Sequence, residues 1–146
     1  MRAYLGPEEA ALELLHDYAG EIQRATQAGT DVVVLPEKIG RVSENVLPKI
    51  DALFSSVANE VHTAIDLGLV RRTETAAFNS SRFYSPDGKR LNYDKHHLLL
   101  GVEPEAPGSE RVFVDQPSGR WGLEICKDMA ARRPVAKSGK SLPNSR

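Results

Sequence analysis

Residues 30–37 read TDVVVLPE. A continuous β-branched run with no polar alternation predicts a strand buried on both faces. Pro36 ends the run and leaves Glu37 at its C-terminal edge. Just upstream, GPEEAALELLHDYAGEIQRATQAG (residues 6–29) puts Pro7 where a first helical turn tolerates it. Ala11, Leu15, Tyr18, Ile22 and Ala25 then follow three and four apart, the spacing of an amphipathic helix that ends near Gly29. A helix feeding directly into an apolar strand points to an α/β fold.

Downstream, VLPKIDALFSSVANEV (residues 46–61) predicts a second helix with Ile50, Leu53, Phe54 and Val57 on one side. Alternation returns in HTAIDLGLVRR and TAAFNSSRFY, which predict strands. SPDGK (residues 85–89) carries Pro, Asp and Gly in turn positions, so its flanks form a hairpin. QPSG (residues 116–119) separates two further apolar runs in RVFVDQPSGRWGLEIC and predicts a second hairpin. The order of elements describes one layer of helices against a sheet.

A length of 146 residues suits one domain. The 40% hydrophobic and 27% charged residues place the protein with globular ones. The net charge of −1 gives no long-range attraction to nucleic acid. From Met129 onward there are five basic residues and no acidic one, and this tail lacks the aromatic side chains that stack on bases. The apolar periodicity stops at the same point, so residues 129–146 are expected to be a disordered tail behind a domain of residues 1–128. A single cysteine, Cys126, forms no internal disulfide and fits a reducing, cytoplasmic setting. No apolar run approaches the roughly 18 residues of a membrane span.

Three polar residues stand at ends of predicted strands, where sites of α/β sheets collect: Glu37, Lys95 in YDKHHLLL, and Cys126 in GLEICKDM. Each alone has an ordinary reading, as a solvated glutamate, a surface lysine and a packing cysteine. Together they supply what a cysteine nucleophile needs, a base for its proton and positive charge for the oxyanion. His96 and His97 have no further ligand at metal-binding spacing.

The segments VVVLPE, NSSRFYSPDGKRLNYDKHHLL and PGSERVFVDQPSGRWGLEICKD resemble, in order and spacing, the successive signatures of the nitrilase, or carbon–nitrogen hydrolase, superfamily. The resemblance covers roughly residues 8 to 128. It implies that Glu37 is the general base, Lys95 the family's lysine and Cys126 the nucleophile, and that the substrate is a small amide or nitrile cleaved through a thioester. Glu103 falls where many members place a supporting second glutamate, although Gly101-Val102 replaces the usual aromatic-Gly and Glu105 stands close by. The backbone N–H of Lys127 is implied as an oxyanion donor. No metal and no cofactor are implied, and the resemblance admits a homo-oligomer.

Members usually begin with an additional buried strand and continue well past the cysteine into the second half of an αββα sandwich. The expectation is therefore an incomplete, N-terminal part of that fold, with one sheet and its helical layer. The foreign composition after Asp128 suggests a truncated or frame-shifted reading. Two other functions fit the same residues. One is the branch resembling apolipoprotein N-acyltransferases, where the thioester passes to an amine and the domain is membrane-associated. The other is a non-catalytic remnant, or a half-domain that binds a partner.

Overall fold

The computed structural model describes residues 7–126 and Asp128. Lys127 and the basic tail, residues 129–146, lie outside the described residues. Helix α1 (Pro7–Ala25) has Glu8 and Glu9 in its first turn and Arg24 in its last, complementing the helix dipole. It buries Ala11, Leu15, Ala19 and Ile22. Ala19 takes the inward place expected of Tyr18, and Ala25 is exposed where the helix ends.

Strand β1 (Val32–Val34) pairs parallel with the start of β3 (Ala64–Arg72), and β2 (Arg41–Ser43) pairs parallel with its end. Between β2 and β3 the backbone returns through a single 3₁₀ turn and helix α2 (Leu47–Val61). Pro48 occupies the first turn of α2, and His62 closes the helix in the left-handed conformation, φ 53°. Strands β4 (Ala77–Tyr84) and β5 (Arg90–Asp94) add antiparallel to β3, giving the order β1/β2, β3, β4, β5. The β4–β5 turn is the predicted one: Gly88 donates to Ser85 O at 3.1 Å with φ +90°. The second predicted hairpin joins β6 (Phe113–Gln116) to β7 (Gly119–Gly122) through Pro117 and Ser118.

The two sheet faces carry different cores. Ile65, Leu67 and Leu69 of β3 and Tyr84 of β4 face the helices and pack with Leu15, Ile50 and Phe54. Asp51 of α2 anchors that layer, accepting two bonds from Arg82 Nη2 (2.7 and 2.8 Å) and one from the Tyr84 hydroxyl (2.9 Å). On the opposite face Ala64, Phe83 and Tyr93 pack with Val114, Leu123 and Ile125 from the β6–β7 hairpin and the segment after it.

This division corrects the reading of 32–34 as buried on both faces. Val33 packs on the helical core and Val32 beneath the hairpin, but Val34 is 62% exposed. Among the described residues the helices pack on β3 and β4 from one side, and the hairpin packs on residues of β3, β4 and β5 from the other.

Candidate active site

Glu37 occupies a break in the sheet edge. Leu35 N–H still bonds to Asp66 O (2.8 Å) and Ile39 N–H resumes the ladder at Gly68 O (3.1 Å), so Pro36, Glu37 and Lys38 bulge out between the two pairings. Lys38 makes the return bend at φ 58°. The bulge lies so close to β3 that a Cβ on Gly68 would sit 2.1 Å from Pro36 O and 2.6 Å from Glu37 Cα. Only glycine at position 68 accommodates it.

Lys95 follows β5 and is 1% exposed. Its backbone carbonyl accepts a bond from Gly108 N–H (2.9 Å), which seats the following loop. Its Nζ lies 3.0 and 3.1 Å from the Glu103 carboxylate oxygens and 3.8 Å from Glu37 Oε2. A buried ammonium needs such partners, since removal from water disfavours its charge. The structure also separates the roles of the two nearby glutamates: Glu103 meets both Lys95 and Lys38, while among the described residues Glu105 pairs with Lys38 only, at 3.1 Å. Burial pushes the Glu103 carboxyl up, but the Leu99 N–H, Lys95 and Lys38 outweigh it and hold it down at about 2. Burial likewise opposes the charge on Lys38, and Glu103 and Glu105 outweigh it, raising its proton affinity.

Cys126 is exposed and has φ 48°, a left-handed backbone that costs a non-glycine residue roughly 1–2 kcal/mol. Asp128 pins the turn that carries it. Its backbone N–H bonds to Ile125 O (3.1 Å), and its carboxylate accepts bonds from Ile125 N–H (3.3 Å), the Tyr93 hydroxyl (2.6 Å) and His97 N–H (2.7 Å). Burial disfavours ionised Asp128, but these donors outweigh it and keep the carboxyl below its usual range. His97 Nδ1 also pairs with Asp128, and His96 Nε2 with Glu110 O, so both imidazoles are engaged. Among the described residues no group of three or more metal-ligating side chains forms.

Glu37 and Cys126 line one cleft of about 230 Å³, together with Val34, Asp66, Ser81 and Ile125. Its floor is the sheet face opposite the helices. The Ser81 hydroxyl donates to Asp66, whose carboxyl burial pushes above its ordinary range. Glu37 and Cys126 thus line the cleft, the buried Lys95 joins it through Glu37, and Glu103 stands behind Lys95, while Lys127 lies outside the described residues. The sequence reading missed Lys38, Asn79 and Asp128. NSSRFY and ICKD held two of them in view, but nothing local marks the bonds these two make to partners 24 to 42 positions away.

The sequence matches the family model described as carbon–nitrogen hydrolase over residues 7–137. The protein belongs to the carbon–nitrogen hydrolase family. No curated protein sequence matches it. Among solved structures, the chain is similar to a superfamily protein of Xanthomonas campestris that carries an arsenic adduct in its active site. Identity is 29% and TM-score 0.66, over 81% of this chain and 49% of that one. It is similar also to Nit3 of Saccharomyces cerevisiae, a member of branch 10 of the nitrilase superfamily, with 25% identity and TM-score 0.65, over 86% of this chain and 52% of that one. An amidase of Nesterenkonia sp. AN1 shares the fold at 17% identity and TM-score 0.69, over 89% of this chain and 55% of that one. The chain therefore spans about half the length of these structures. No described helix is long and apolar enough to cross a membrane.

Proposed function

We propose that this protein bears the thioester-forming residues of a hydrolase acting on a small amide or nitrile, with Glu37 as base, Lys95 as electrostatic stabiliser and Cys126 as nucleophile. One observation supports the reading above all: Glu37 shares a cleft with Cys126 and an ion pair with the buried Lys95. In an amide substrate, Glu37 takes the Cys126 thiol proton and the thiolate adds to the carbonyl carbon. Lys95, steadied by Glu103, and the Lys127 backbone N–H stabilise the oxyanion. The C–N bond then breaks, and the amine leaves with the proton held on Glu37. Water, deprotonated by Glu37, adds to the thioester. The acid departs, and the thiolate recovers its proton from Glu37.

Cys126 is the only cysteine, so its reactivity can be read by intact mass after iodoacetamide treatment at neutral pH. The folded protein is expected to react faster than the urea-unfolded one, and Glu37→Gln and Lys95→Ala to slow it. Equal rates in all four samples would sink the proposal.

A further inference from the structure

Asn79 of β4 is fully buried and touches the site at three points. Its backbone carbonyl accepts the Lys95 N–H at 2.8 Å. Its Nδ2 donates to Glu37 Oε2 at 3.0 Å and to Glu103 Oε1 at 3.3 Å. Its Oδ1 is buried with no partner among the described residues. A buried carbonyl left unpaired is destabilising. Rotating the amide by half a turn would exchange the two ends, but it would set that carbonyl against two carboxylates. The amino group is therefore fixed toward Glu37 and Glu103, with each of its two hydrogens committed.

The consequence falls on Glu37. Oε2 is held by Asn79 and lies within ion-pair range of Lys95, while Oε1 has no partner among the described residues. We propose that Asn79 is a positioning residue: by occupying Oε2 it presents Oε1 as the atom that takes the Cys126 proton. It also bridges Glu37 and Glu103 without adding charge between them. In the step concerned, the Cys126 S–H bond breaks, the Oε1–H bond forms, and Asn79 keeps both its protons. The inference rests on the reading of Glu37 as the base.

The test is a double-mutant cycle on the rate of Cys126 alkylation, with Asn79→Ser made alone and together with Glu37→Gln in the 146-residue chain. A residue acting through Glu37 slows alkylation about tenfold in the wild-type background, as for a hydrogen bond to a charged group, and has no effect once Glu37 is glutamine. Equal slowing in both backgrounds, the signature of a merely structural role, overturns the inference, as does no slowing in the first. Should Glu37→Gln itself alkylate at the wild-type rate, the reading of Glu37 as base fails and takes the inference with it. Circular dichroism checks the fold, and Asn79→Ala, which removes the donors without adding charge, takes the place of Asn79→Ser in the same cycle if that variant does not fold.

Discussion

Glu103 and Asp66 respond to pH in opposite senses, because one carboxylate is surrounded by donors and the other is buried with a single hydroxyl. Glu103 is held at about 2, below its ordinary 4.5, so it contributes stability that is present above 4.5 and lost as pH falls toward 2. Thermal melts of Glu103→Gln should show a lower Tm at pH 7 and a flatter decline between those limits than the wild type. Asp66 is raised above 3.8 chiefly by burial, so its contribution is fully present below 3.8 and lost as pH rises through the folded value. Asp66→Asn keeps an acceptor for Ser81 and carries no charge. It should raise Tm at pH 7, and the gain should vanish in melts below pH 3.8.

The β1–β2 edge depends on close approach at one glycine. Gly68→Ala puts a methyl group into Pro36 O and Glu37 Cα, contacts made by backbone that cannot swing aside. A loss of about 1–3 kcal/mol is expected from urea denaturation, as for overpacked cores. Alkylation of Cys126 in this variant should no longer respond to Glu37→Gln, because the bulge is displaced. The hairpins were legible in the sequence since SPDGK and QPSG encode their own turns. Strand β2 was not: Arg-Val-Ser has no local signal, and it becomes a strand only through parallel pairing with residues far along the sequence. The same limit applies to the site. Glu37, Lys95 and Cys126 stood out through their motif context, whereas Asn79, in the interior of β4, is brought to Glu37 by sheet order alone.

Across the whole molecule the sheet divides labour between its faces, one anchoring the helices and the other lining the cleft. Asp51 is the fastening on the helical side, with side-chain exposure of 10% against 13% for Arg82. Asp51→Ala would strand the Arg82 guanidinium in a largely dry setting, at about 3–5 kcal/mol by denaturant titration. Cys126 alkylation per folded molecule should stay at the wild-type rate, since Asp51 lies across the sheet from it. The interrupted edge has a different kind of consequence. The edge runs from Val34 to Arg41 while β3 advances only from Asp66 to Val70, the surplus being taken up by the bulge. Removing one bulge residue would shift β2 by one step and turn Val42, wholly buried, out of the core. Under mutation this loop is closed to change of length: it works as a spacer that sets the placement of Glu37 and the register of the fold by one count.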